Sequence, residues 1–553
     1  MSWTRPGSPR GRDRRGLVVL ASGWLLALAA PLAADSYPRQ PGVDAIHYVF
    51  RLELGDGSDE IRGETQVRLR FTAAGAREAF LDLAEARDGR GMTVQAVTGE
   101  AGPVAYERQG DRLHLTVEPP PVAGEERAFS VRYHGVPAAG LRFLPNVHGE
   151  RSVFSESWPD RARQWLPTID HPSDKATGEM IVTAPATYQV VSNGALVEEL
   201  DLPDGRRRTH WRQSVPIASW LYALGVARFS VHHAGQANGV PLQTWVFPQD
   251  REKGQALFEE LSRSALAFFS ERIGPYPYEK LASVEAAGIN GGMESATSIF
   301  YGDKGVTASR APVVHEIAHQ WWGNSVTEGD WDDVWLSEGF ATYFTLLHTE
   351  HAEGRDAFVA GLRTSREQIL QLERQLPGTP VIHRNLSDMK KVLNRLVYQK
   401  GGFTLHMLRS RMGSEAFWRG IREYYARFRD GNASTADLRE TMERAADEPL
   451  DWFFEQWLTR AGVPRLEGSW RYDRAAREVE LRLVQTQSEP LFRLPVEIGI
   501  TAADPKAAPR VERIELRERE RRFRFAAESE PRALALDPDV WLLFEPGPFE
   551  RRR

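Results

Sequence analysis

Between about Asp44 and Ser230 the hydrophobic positions fall on alternate residues. Phe50, Leu52 and Leu54 interleave with Arg51 and Glu53, and Val67, Leu69 and Phe71 with Arg68 and Arg70. A period of two marks strands with one face on a core and the other in water. Gly55-Asp56-Gly57 and Pro119-Pro120-Pro121 supply the turns between them. Then the period changes. Leu257, Phe258, Leu261, Ala265, Phe268, Phe269 and Ile273 recur every three or four residues, a helical stripe that Gly274-Pro275 ends. Helical spacing dominates to about Trp457. Beyond Ala461-Gly462-Val463-Pro464 alternation returns, with Val479, Leu481 and Leu483 around Glu480 and Arg482. The pattern predicts a multidomain α+β protein. An N-terminal antiparallel all-β domain would cover residues 35–240, a mainly helical domain 241–460 and a β-sandwich 461–553. The Arg- and Glu-rich strip 510–524 reads as a solvated strand face.

The first residues follow a different rule. Arg5, Arg10, Arg12, Arg14 and Arg15 precede an apolar run from Leu17 to the small pair Ala33-Ala34. Basic, apolar, then small is the order of a secretory signal, so residues 1–34 are predicted to be a signal peptide cleaved after Ala34. The run is also just long enough to span a bilayer, which leaves a retained anchor as the alternative and the only membrane contact expected. The protein is expected to be exported, either periplasmic or secreted.

Composition narrows the chemistry. The chain has 553 residues, 41% hydrophobic and 26% charged, which excludes a disordered chain and a multi-span membrane protein. Lys+Arg 70 against Asp+Glu 76 gives a net charge of −6, so no basic surplus draws it to nucleic acid. It contains no cysteine. Disulfides, thiolate ligands and cysteine nucleophiles are excluded, and any metal site must be built from His, Asp and Glu.

One such site is spelled out. His315-Glu316-Ile317-Ala318-His319 places two imidazoles four residues apart, on one face of a helix, where both reach the same ion. Pro312 suits the first turn of that helix, and Gly323 can stop it. Glu316 falls beside the ion, where a general base for water is needed. Eighteen residues after His319 comes Glu338, within Trp335-Leu336-Ser337-Glu338-Gly339-Phe340-Ala341. Asp332 or Asp333 would cap this second helix. A carboxylate on so apolar a helix is costly unless paired or bound to metal. His315, His319 and Glu338 together make a two-His, one-Glu site for one zinc ion, with a position open for water.

These residues closely resemble the gluzincin zinc aminopeptidases, the relatives of aminopeptidase N and leukotriene hydrolase. His315 to Asn324 and Trp335 to Ala341 carry most of the resemblance. Gly291-Gly292-Met293-Glu294-Ser295 is similar to that family's G-x-M-E-N segment, and Tyr398-Gln399-Lys400-Gly401 to its catalytic-tyrosine segment. Ala162-Arg163, Pro167, Asp170, Pro172 and Lys175 resemble a further signature, and Gly274-Pro275-Tyr276-Pro277-Tyr278 the approach to the substrate strand. The resemblance implies a thermolysin-like catalytic domain over 241–460 in a compact three-domain form. It also implies Tyr398 as the donor to the tetrahedral oxygen, and Glu294, with Gly291, Gly292 and Met293, as the segment that binds a substrate's free N-terminus. The glycines would leave room for substrate backbone, and Tyr301 could line the substrate pocket. Three positions depart from the family pattern. Ser295 stands for Asn, Trp158 stands where Gln or Glu is usual, with Glu156 nearby as a substitute, and His171 stands for Glu.

The expected function is therefore zinc-dependent removal of N-terminal residues from peptides with a free N-terminus. An endopeptidase or other small-substrate hydrolase on the same zinc site is the alternative, and a non-catalytic binding scaffold the third reading. The oligomeric state is left open.

Overall fold

The computed structural model describes residues 35–304, 310–488, 490–504 and 510–552. The expected signal segment, residues 1–34, lies outside these residues.

Alternation builds the N-terminal region. Strands Val43–Glu53 and Ile61–Phe71 pair antiparallel, with Phe50 opposite Thr65 and Leu52 opposite Gly63. Phe50, Leu52, Val67, Leu69 and Phe71 are buried, whereas Arg51, Glu53, Arg68 and Arg70 are exposed. The two strands sit inside an eight-stranded sheet that also contains Lys175–Pro185, Arg206–Ala218 and Glu125–Val136. One pairing departs from the antiparallel expectation: Val43–Glu53 runs parallel to Lys175–Pro185. A four-stranded and a three-stranded sheet complete this β-rich region.

A second difference concerns where the next sheet begins. Strands Ser230–Ala237 and Val240–Val246 do not pair with the large sheet. They join Leu281–Ala286, Ser298–Gly302 and Gly292–Met293 in a mixed five-stranded sheet. Period-two alternation marks a strand but does not name its partner, so Ser230–Ala237, which precedes residue 240, joins Val240–Val246 in the sheet that carries the Gly292–Met293 segment.

Helices follow. Helix α1, Arg251–Arg272, buries Phe258, Leu261, Ala265, Phe268 and Phe269. Then come α2, Ala311–His319, α3, Trp335–Glu353, α4, Arg355–Gln375, and α5, Arg395–Met412. The apolar, aromatic composition of α3 matches its position, since almost every side chain from Trp335 to Phe344 is buried. It crosses α5 at a glycine contact. A Cβ built on Gly339 would lie 2.9 Å from the carbonyl carbon of Gly401, closer than any real side chain comes.

The C-terminal region is a four-stranded and a three-stranded sheet. Val479, Leu481 and Leu483 of one and Val496, Ile498 and Ile500 of the other are buried. Outward arginines and glutamates pair across strands, as in Arg482–Glu520 and Arg513–Glu497. Among the described residues no helix is long and apolar enough to cross a membrane.

Candidate active site

Helix α2 is short. Pro312 stands in its first turn, and regular helix ends at His319, four residues before Gly323. Gly323 therefore does not stop the helix. It has φ +94°, and a Cβ there would fall 2.1 Å from the Ser337 hydroxyl, so its bare backbone lets the chain leaving α2 pack onto the start of α3. The capping of α3 also differs from expectation. Asp330 accepts the Asp332 N–H at 2.9 Å and caps a 3-10 turn, Trp331–Asp333, that leads into the helix. Asp332 instead accepts the N–H groups of Asn385 and Leu386, at 2.7 and 3.0 Å, and Asp333 holds Thr435. All three carboxylates are used, and the long-range partners decide which one caps.

The two helices bring three ligand atoms together. Nε2 of His315 and Nε2 of His319 are 3.1 Å apart, and each lies 3.4 Å from Oε2 of Glu338. Ligand atoms about 2.0–2.1 Å from a tetrahedral zinc stand about 3.3–3.4 Å from one another, so the group fits that ion. Two further observations agree. Oε2 of Glu338 is buried and accepts no hydrogen bond, an orphan that a cation would satisfy. Nδ1 of His319 lies 3.0 Å from the Trp322 carbonyl, placed to accept a hydrogen bond from a proton on that nitrogen and so to free Nε2 as a ligand when an ion binds. Burial by itself would raise the pKa of Glu338, but the two imidazoles outweigh it and hold the carboxyl at about 2.

All nine residues named for the site line one cavity of about 830 Å³. Glu316 is buried beside the imidazoles. Gly292 explains how it fits: a Cβ there would lie 2.3 Å from Oε1 of Glu316, so the space a side chain would take already holds this carboxylate. At Gly288 a Cβ would meet Leu144 at 2.9 Å, and only at Gly291 is the space open. The glycine-rich segment thus makes room chiefly for the protein's own groups. We expect Gly292→Ala to displace Glu316 and lower turnover at least tenfold while bound zinc is unchanged, a split that metal analysis alongside steady-state kinetics will show.

Glu294 is 6% exposed, and burial, foremost, pushes its carboxyl up to about 7. Among the described residues no Lys or Arg forms an ion pair with it. Its backbone carbonyl is clamped by two side chains, Nε2 of Gln320 at 3.0 Å and Nδ2 of Asn324 at 2.6 Å. Gln320 also accepts the N–H of Thr297, a β-branched residue held at φ +64°. Gln320 and Asn324 therefore position Glu294. Sequence reasoning quoted both within the His315–Asn324 stretch without giving them work. The segment is supported from the turn that follows α2 even though Ser295 stands in place of Asn.

Tyr398 lies on the first turns of α5 with its ring near parallel to His315, centroids 6.3 Å apart. Burial and the nearby Glu338 carboxylate raise its pKa, so the phenol keeps its proton. Two residues on, buried Lys400 ties α5 to Glu373 of α4 at 2.7 Å and to the Gly462 carbonyl at 2.9 Å.

The remaining signature residues brace this arrangement. Arg163 pairs with buried Asp170 at 2.8 Å. Lys175, on the large sheet, donates to the carbonyls of Asn324, Ser325 and Gly431 at 3.0, 2.9 and 3.1 Å, gripping the turn that follows α2. Trp158 and Glu156 do line the cavity, but Arg142 and Arg161 already pair with Glu156. Tyr301 does not line it. It is buried against Phe258 with its hydroxyl on the Val313 carbonyl.

An H-E-x-x-H helix, a glutamate from the next helix and a shared cavity have the arrangement of a zinc metallopeptidase centre. Two family models match the chain, the Peptidase M1 N-terminal domain over residues 44–221 and the Peptidase family M1 domain over residues 259–457, and the chain belongs to peptidase family M1. Glutamyl aminopeptidase of Sus scrofa is 29% identical over 333 residues, 56% of this chain and 34% of the relative. Aminopeptidase N of Streptomyces lividans is 28% identical over 448 residues, 75% of this chain and 50% of the relative. The chain thus spans between a third and a half of the length of these curated relatives. A mutant of an M1 zinc metallopeptidase from Deinococcus radiodurans, solved by crystallography, superposes with a TM-score of 0.65 at 24% identity, covering 77% of this chain and 95% of that one. It shares the fold.

Proposed function

We propose that this protein is a zinc aminopeptidase that removes residues from the N-termini of peptides. One observation carries the reading. A buried carboxylate, Glu294, faces the cavity of the metal ligands without a Lys or Arg partner among the described residues. A buried anion of this kind is matched by a desolvated cation, and a peptide's α-ammonium brings one to a fixed distance from the first peptide bond.

His315, His319 and Glu338 would hold the zinc. Bound there, zinc supplies Lewis acidity, making water ionise near pH 7 and polarising a carbonyl. Glu316 takes the proton from the attacking water and returns it to the leaving amine. The Tyr398 phenol donates to the oxygen on which charge develops, a contribution of about 3 kcal/mol in the transition state. Glu294 fixes the α-ammonium, so that only the first bond reaches Glu316.

The test is a set of short peptides, free and N-acetylated, assayed with and without a chelator. Only the free peptides should be cleaved, one residue at a time, and the chelator should abolish this. Cleavage of the acetylated set at equal rate would establish the endopeptidase reading instead. In the same assay Glu294→Gln is expected to raise KM for free peptides more than tenfold and to shrink the discrimination against acetylated ones.

The chain is further read as exported, with residues 1–34 removed after Ala34. The basic, apolar and small-residue order of that segment supports this, and the intact mass of the exported protein tests it.

A further inference from the structure

Residues 35–39 form no helix or strand, yet they are firmly held. Asp35 is 6% exposed. Its carboxylate lies 2.8 Å from Nε2 of His171 and accepts the N–H groups of Trp331 and Tyr37 at 2.9 and 3.0 Å. The Ser36 N–H donates to the Leu386 carbonyl at 2.9 Å. The Tyr37 hydroxyl donates to Asp82 at 2.6 Å, and its ring stacks on His171, centroids 4.6 Å apart. Arg39 donates to Ser173 at 2.7 Å and to Asp330 at 2.9 Å. The segment ties the N-terminal sheets to the turn that leads into α3.

The backbone nitrogen of Asp35 is the unusual atom. It lies 3.1 Å from Oδ1 and 3.2 Å from Oδ2 of Asp330. A peptide N–H can only divide its one hydrogen between the two oxygens and brings no charge to the carboxylate. An α-ammonium has three hydrogens and a full charge, the complement of that anion. The surrounding charges agree. The Asp35, Asp330 and Asp332 carboxylates gather here, and Arg39 is the one arginine among the described residues that pairs with Asp35 and Asp330; Arg112 and Arg163 line the same pocket as Asp35 but pair with Asp82 and Asp170. Burial lowers the pKa of the neighbouring His171, against the pull of the Asp35 carboxylate. Among the described residues no Lys or Arg other than Arg39 pairs with Asp330.

Cleavage after Ala34 would make Asp35 the first residue. Hydrolysis of the Ala34–Asp35 bond by a leader peptidase consumes one water, leaves a carboxylate on Ala34 and frees an amine on Asp35 that takes up a proton. We propose that this α-ammonium closes an ion pair with Asp330, so that the processed chain end becomes a structural part of the folded enzyme. The inference rests on the reading of residues 1–34 as a removable leader and not on the peptidase activity. Its reach follows from the second task of Asp330. The same carboxylate caps the turn Trp331–Asp333, and Glu338 stands in the first turn of α3 just beyond. Trp331 meets Trp158, a wall of the cavity, edge-on at 5.5 Å. Processing would firm the turn from which a zinc ligand is presented.

The experiment compares the chain beginning at Asp35, released from a tag by a site-specific protease, with the same chain carrying Gly-Ser ahead of Asp35. Both are also made as Asp330→Asn, which keeps a side-chain oxygen for the cap. At pH 7 the Asp35 α-amine should react with an acylating ester at least about tenfold more slowly than that of an unstructured peptide with the same first residues, the effect of one unit of raised pKa. Asp330→Asn should restore the rate. The processed form should melt above the extended form, by a margin that vanishes in Asp330→Asn. A Gly-Ser form as stable as the processed one, an α-amine as reactive as the peptide's, or protection that survives Asp330→Asn would overturn the ion pair. Separately, the mass of the natural exported protein must correspond to a start at Asp35. A different start would overturn the processing step alone, leaving the acylation result to judge the docking.

Discussion

Replacing Glu316 by Gln is expected to lower kcat/KM on a free dipeptide amide by about 10²–10⁴-fold, the range for loss of a positioned general base. The substitution keeps the shape that fills the space beside Gly292, and it leaves His315, His319 and Glu338 untouched. Zinc should therefore remain near one ion per chain and the melting temperature near that of the parent. That combination separates proton transfer from metal binding. Near-parental turnover in Glu316→Gln would remove Glu316 from the mechanism, and loss of zinc would mean that it acts as a ligand. Steady-state kinetics and elemental analysis on one preparation decide among these.

The second large effect is expected at Glu338. Its carboxylate touches both imidazoles, and its orphaned Oε2 has no donor to fall back on. Glu338→Ala should weaken zinc more than about 100-fold, beyond the 10–100-fold typical of residues that only orient a ligand. Activity should disappear at ordinary zinc concentrations. Stability offers an independent check. An ion bound at 100 times its dissociation constant stabilises the folded state by about 2.7 kcal/mol. The parent should melt lower after chelation, and Glu338→Ala should melt at one temperature with or without the chelator. A zinc-dependent shift that survives in Glu338→Ala would show that the ion is held elsewhere.

Much of this was legible in the chain, for reasons particular residues make plain. Phe50, Leu52, Val67 and Leu69 declare their strands because burial on one face needs only local alternation. His315 and His319 share a face because four residues make about one helical turn. Glu338 is conspicuous as the single carboxylate in an apolar stretch. What local pattern does not carry is the identity of distant partners. Nothing in Val240–Val246 says that it pairs with Leu281–Ala286 rather than with the large sheet. Asp332 and Asp333 read as the cap until Asn385, Leu386 and Thr435 claim both, and Asp330, which the local pattern does not single out, caps the turn instead. The role of Gly292 could not be seen either, since its neighbour Glu316 is 24 residues away in the chain and adjacent only in space. Gln320 and Asn324 were hidden for the same reason: the carbonyl they clamp, that of Glu294, lies 26 and 30 residues away in the chain.

The crossing of α3 and α5 at Gly339 and Gly401 has a consequence for how this site can change. Glu338 precedes one glycine and Tyr398 lies a turn before the other, so the metal ligand and the phenol ride on a single rigid beam whose two halves have no slack between them. Neither group can drift to suit a new substrate without prising the backbones apart. On the proposed reading, adaptation to different peptides is therefore channelled to the open space at Gly291 and the walls around Trp158, where side chains can be exchanged while the beam stays fixed.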